Sequence, residues 1–188
     1  MTARSKQNSE AYQLTLRARY HFAKRTRDDI RSAIDYYQRA IAADPMYAEA
    51  YAGLSITYSV GMSYLFTESK DFRLKAEAAA NRAVELSPSL ADAHVAMAMA
   101  KSANWDWPAV ESEFQKAISL NPNDANLHYF HAYLFLVPQK RFTEALAEFR
   151  RALDLDPLSP IINTNYAVIF MLNRQYDLAE AQFKQAAG

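Results

Sequence analysis

Cysteine is absent from the chain, which excludes disulfides, thiolate metal sites and cysteine nucleophiles. Glycine is nearly so, with three in 188 residues, and the periodic stretches are built from alanine, leucine, glutamate and lysine type residues. That balance argues for helix and against a sheet protein. No apolar run approaches the roughly 18 to 20 residues a membrane span needs, and no signal-peptide pattern opens the chain. The expectation is a soluble, cytoplasmic domain with no membrane insertion. Phosphate-binding glycine loops, HExxH and G-x-S-x-G motifs and a convincing acid/base pair are also missing. Catalysis by this chain is therefore not expected, and neither is a cofactor or a metal.

Net charge is absent too, because 21 Lys and Arg meet 21 Asp and Glu. The balance is uneven along the chain: residues 1–31 carry eight basic against three acidic side chains. The run RARYHFAKRTR (17–27) is the densest part. A nucleic-acid contact there competes with a solvated helix face, and the second is favoured. Leu14, Leu16, Tyr20 and Phe22 are interleaved with the charges at helical spacing.

What the sequence does contain is one phrase written four times. YQRAIAADPMYAEAY starts at Tyr37, ANRAVELSPSLADAH at Ala80, FQKAISLNPNDANLH at Phe114 and FRRALDLDPLSPIIN at Phe149. The fourth residue of each copy is alanine (Ala40, Ala83, Ala117, Ala152) and the ninth is proline (Pro45, Pro88, Pro122, Pro157). The steps are 43, 34 and 35 residues, and a fifth copy begins 34 residues later at Phe183. A fixed period of roughly 20 to 50 residues marks a solenoid.

Residues 91–124 show one period physically. ADAHVAMAMAKSA is helical by propensity with apolar residues on more than one face, so it must be packed on several sides. NWDW breaks the pattern, with Asp106 placed to cap and Pro108 in the first turn of the next helix. Val110, Phe114, Ala117 and Ile118 then form an amphipathic stripe, which ends at Asn121 before Pro122. Two helices of about 13 residues, each about 20 Å long, make a hairpin. One hairpin cannot bury both apolar faces, but a stack can, and the recurring alanine lets neighbouring helices approach closely.

These residues resemble the tetratricopeptide repeat (TPR), a unit of about 34 residues. His94, Ala98, Val110, Phe114, Ala117 and Pro122 fit its pattern of large, small, small, aromatic, alanine and proline. So do His128, Ala132, Ala145, Phe149, Ala152 and Pro157, with one extra residue near Pro138. Tyr51, Ser55, Ala76, Ala80, Ala83 and Pro88 fit with an insert around YLFTESKDF, and Asn163, Ala167, Ala179, Phe183 and Ala186 form a shortened last copy. The resemblance implies an all-α, right-handed superhelix of about five helix-turn-helix units over residues 1–188. The units are expected at 11–47, 48–90, 91–124, 125–159 and 160–188, the last truncated, with the first helix of the first unit ambiguous in register. The chain looks like TPR arrays at the C-terminal end of larger bacterial regulators that carry winged-helix, cyclase or Ser/Thr kinase domains. Its end at Gly188 inside a copy agrees with an excised piece of such a protein.

The resemblance also implies where a partner would sit, since the first helix of each TPR unit lines a concave groove. The groove side chains would be Ala52, Ile56, Val95, Met99, Ser102, Asn126, Tyr129, Tyr133, Leu136, Thr164 and Val168. This surface suits a protein or peptide segment with hydrophobic anchors. TPR domains that clamp a terminal carboxylate carry lysine, arginine and asparagine where this chain has Ala52, Ile56, Val95 and Met99, so that mode is disfavoured. The structural alternative is that part of this surface is inter-helix core or is covered by another segment of the parent protein.

His94 and His128 stand one repeat apart and His131 follows. Three converging imidazoles would suit zinc, but packed or hydrogen-bonded core histidines are the favoured reading. Trp107 stands where Phe142 and Tyr176 close the equivalent inter-helix turns, while Trp105 is freer to be exposed. The leading expectation is a non-catalytic protein-protein interaction module. The alternatives are a regulatory or self-associating domain, dimerising through Tyr176, Ala179 and Phe183, and nucleic-acid binding through residues 17–31, which is not expected.

Overall fold

The computed structural model describes residues 3–65 and 69–187, with side chains over 9–65 and 71–184. Part of the insert at 64–72 and the Ala186 side chain lie outside the described residues. The chain divides into two compact units, Met1–Leu120 and Asn121–Gly188. Both are all-α, with no strand among the described residues.

The first unit holds three hairpins: α1 (Ala3–Lys24) with α2 (Arg27–Ala43), α3 (Ala48–Tyr64) with α4 (Ser69–Leu86), and α5 (Ala91–Ser102) with α6 (Trp107–Leu120). Within each hairpin the two helices pack together, and the first helices lie side by side, α1 on α3 and α3 on α5. Arg19 ties α1 to α5 through Asp92 at 3.1 Å. The ambiguous first helix resolves here: α1 starts at Ala3, earlier than the expected 11, and buries Ala11, Leu14, Thr15 and Ala18. That i, i+3, i+4, i+7 stripe leaves Leu16 and Tyr20 outside with the basic side chains.

Each second helix buries one stripe, as its amphipathic pattern requires: Ile30, Ala33, Tyr37 and Ala40 on α2, and Val110, Phe114 and Ala117 on α6. The first helices are enclosed on more sides. Six alanines, Ala52, Ala80, Ala83, Ala93, Ala96 and Ala100, form one buried cluster among α3, α4 and α5. Only a methyl group fits where three helices meet this closely.

The second unit comprises α7 (Ala125–His131), α8 (Phe142–Leu155), α9 (Pro160–Leu172) and α10 (Tyr176–Ala187). Asp124 caps α7, its carboxylate accepting from the Asn126 and Leu127 amides at 2.9 and 3.1 Å. α7 continues as a π-helical turn over Ala132–Leu136, with the Val137 amide reaching the Ala132 carbonyl at 3.0 Å. The extra residue in this copy of the repeat is absorbed there, as insertions into helices commonly are. Phe149 of α8 stacks on Tyr166 of α9 at 5.8 Å and meets Tyr129 of α7 edge-on at 5.9 Å.

Candidate functional site

The eleven groove positions separate by burial. In the first unit Ala52, Val95 and Met99 are buried, and Ile56 and Ser102 are half-buried. The Ser102 hydroxyl is also engaged, donating to the Met99 carbonyl at 2.7 Å. In the second unit Tyr129 and Leu136 are buried, Val168 is half-buried, and Asn126, Tyr133 and Thr164 are exposed. The buried five are packing residues because α3, α5 and α7 are covered by neighbours on more than one side.

What remains in the second unit has a defined geometry. Tyr129 lies under the exposed Tyr133, the rings stacked with centroids 5.8 Å apart. The Asn165 amide of α9 donates to the Tyr129 hydroxyl at 3.1 Å and to the Ile161 carbonyl at 3.0 Å, joining α7 to α9. Asn126 and Tyr133 stand three before and four after Tyr129, and Thr164 and Val168 one before and three after Asn165. Helical spacing puts Asn126 and Tyr133 on the Tyr129 side of their helix and Val168 on the Asn165 side of α9, with Thr164 one turn before Val168. α9 carries no charged residue, so the face is neutral, with amide, hydroxyl, aromatic and aliphatic groups.

The histidines do something the sequence reading only partly anticipated. His94 reaches Glu113 through Nδ1 at 2.6 Å and the Pro88 carbonyl through Nε2 at 2.8 Å. His128 repeats this one unit on, with Glu148 at 2.7 Å and the Pro122 carbonyl at 2.9 Å. Asn163 is the third instance, donating to the Pro157 carbonyl at 3.0 Å and accepting from Gln182 at 2.8 Å. Each bridges the turn before its repeat to the second helix of that repeat. The signal was present as a side chain six residues after proline with a polar partner 19 or 20 residues on. Burial alone would raise the Glu148 carboxyl, but hydrogen bonds from His128 and His131 outweigh it and hold it at about 2. The same contact with Glu148 raises His128, against the opposing effect of burial. Among the described residues no group of three or more histidine, aspartate or glutamate side chains is placed to hold a metal.

Trp107, Phe142 and Tyr176 each open a second helix. Trp107 meets Trp105 edge-on at 5.4 Å, and Trp105 is 73% exposed. On α10, Ala179 is buried while Tyr176 and Phe183 are exposed, beside exposed Met171 and Leu172 of α9. In the basic stretch, Arg19, Lys24 and Arg31 meet Asp92, Asp29 and Asp28 at 3.1, 3.5 and 3.8 Å. No helix among the described residues is long and apolar enough to cross a membrane.

Stacked helical hairpins with recurring alanines define the class of helical-repeat scaffolds, a fold generally used for protein-protein interaction. The tetratricopeptide repeat profile matches residues 95–160 and 136–188, together half of the chain, and the chain belongs to that family. Among solved structures it is similar to a thermophilic TPR protein of Thermus thermophilus, TTC0263, at 21% identity and TM-score 0.60 over 76% of this chain and 73% of that one. MamA is similar at 21% identity and TM-score 0.57, covering 87% and 90%. YrrB, a TPR protein with an unusual peptide-binding site, is similar at 19% identity and TM-score 0.54, covering 85% and 77%. At these identities the likeness is one of fold. A curated relative, the Arabidopsis thaliana E3 ubiquitin-protein ligase CHIP, is 37% identical over 73 residues, 39% of this chain. The match spans about a quarter of that protein, 26% of its length.

Proposed function

We propose that this chain is a non-catalytic interaction module that holds a neutral, partly apolar segment of a partner protein against Asn126, Tyr133, Thr164 and Val168. The observation that carries this is Tyr133. It is 38% exposed yet stacked on a buried, hydrogen-bonded Tyr129, so its ring is held in place before any partner arrives. A pre-ordered aromatic loses little rotamer freedom on binding and makes an efficient anchor. Ile56 and Ser102, half-buried on the first unit, are a separate and lesser candidate contact within that unit. The whole array, residues 1–188, acts as one scaffold in this reading, and its setting is cytoplasmic. A display library of random peptides selected against the purified chain would supply a ligand for NMR mapping. Amide shifts centred on residues 126–133 and 164–168 support the assignment. Shifts confined to the second helices would overturn it.

Exposed Met171, Leu172, Tyr176, Leu178 and Phe183 favour a second reading, self-association through α9 and α10, as in a regulatory domain of a larger protein. Light scattering would show a dimer that Leu178→Lys returns to monomer. A wild-type chain that stays monomeric at high concentration excludes it.

A further inference from the structure

We propose that the His128–Glu148 pair is a pH-sensitive latch, closed on the acidic side of neutrality and released above it, that fastens α7 to α8 and to the turn at Pro122. Both atoms that face the His128 ring nitrogens are acceptors, a carboxylate oxygen at 2.7 Å and a proline carbonyl at 2.9 Å. Only the imidazolium carries two N–H donors. When the ring gives one proton to solvent, the neutral imidazole keeps one N–H and must abandon either Glu148 or the Pro122 carbonyl. The nitrogen left bare then points its lone pair at an acceptor.

The charged and titratable surroundings support this assignment. On α8, Glu148 lies against both His128 and His131, the latter at 3.4 Å. Glu144 adds negative charge near His131, and Arg151 opposes the His128 cation while its guanidinium is held by Asn123 at 3.1 Å. Asp124 caps the start of α7, and α9 contributes no charge. The chain also contains a copy of the same bridge that does not titrate, Asn163 with Gln182. His94 shares the two-acceptor geometry, but Lys116 also holds its glutamate, Glu113, at 2.7 Å.

The direction of the linkage follows. A raised His128 contributes stability that is complete below the unfolded value of about 6.5 and is lost as pH rises through the folded value. A depressed Glu148 contributes stability present above about 4.5 and lost as pH falls towards about 2. Both contributions are complete together between roughly pH 4.5 and 6.5.

The test uses the whole chain and rests on the fold, independently of the proposed binding face. The His128 ring resonance is titrated by NMR, and melting temperature is followed from pH 6 to 9 for wild type and for H128N/E148Q, which copies the Asn163 and Gln182 pair. The latch predicts that His128 titrates above the value of an unfolded histidine. It also predicts that the wild type loses about 2–5 °C over this range and that the variant loses measurably less. A His128 that titrates at or below the unfolded value overturns it. Equal pH slopes in the two chains do the same, since His21, His94 and His131 are common to both. If the variant does not fold, the wild-type titration decides alone.

Discussion

Ala40, Ala83, Ala117 and Ala152 are fully buried at equivalent places on four second helices, and each is small because a neighbouring helix lies against it. Replacing Ala117 with leucine inserts three carbons into a site with no room, and should cost about 1–3 kcal/mol. Urea denaturation of A117L against wild type measures it, and an unchanged midpoint would mean the site has slack. Gly53 makes a sharper case. A Cβ built on it would press into the ring of Tyr37, which is itself buried, so much so that its hydroxyl is pushed up to about 12. Alanine normally stabilises a helix by up to about 1 kcal/mol over glycine. Here the clash reverses the sign, and Gly53→Ala should lower the melting temperature rather than raise it.

At the scale of helices and turns, four hairpin turns place a residue other than glycine in the left-handed region: Arg25, Trp105, Lys140 and Arg174, with φ of 56, 60, 58 and 59°. Two of these close Schellman caps. The Arg141 and Gln175 amides reach back to the Leu136 and Phe170 carbonyls at 2.9 and 2.8 Å, and Lys140 and Arg174 bond one turn back at 2.9 and 3.0 Å. Glycine adopts this conformation without the Cβ penalty. Lys140→Gly should therefore stabilise the chain by about 0.5–1 kcal/mol, read from the urea midpoint, and a loss of stability would show that the lysine makes a contact outweighing the strain. The same elements show what was legible in sequence. Second helices such as α6 and α8 have one buried stripe, so Val110, Phe114, Phe149 and the recurring alanines could be read directly. First helices could not be read this way. Met99 takes the same repeat place as exposed Tyr133, ninth in its unit, while Ala52 and Val95 match the buried Tyr129; only the tertiary setting separates Met99, enclosed on α5, from Tyr133 on the π-helical turn after α7. The bridges from His94, His128 and Asn163 were half-legible, since the repeat equivalence was visible but their partners lie a whole helix away.

For the molecule as a whole, the zero net charge conceals a basic N-terminal stretch whose Arg19, Lys24 and Arg31 are matched by Asp92, Asp29 and Asp28. Charges already matched within the protein release few counterions on meeting a phosphate backbone. Fluorescence anisotropy with a duplex oligonucleotide at low salt should show no saturable binding, and a salt-sensitive isotherm would restore the nucleic-acid reading. The family and fold give a scaffold, and the proposed function puts its partner at the pre-ordered tyrosine pair. The most direct test is calorimetric titration of a display-selected peptide against wild type, Tyr133→Ala and, as a control, Leu158→Ala, whose side chain is 87% exposed in a turn. The account predicts that Tyr133→Ala weakens binding about tenfold or more while Leu158→Ala leaves it unchanged. Equal affinity for wild type and Tyr133→Ala would contradict it.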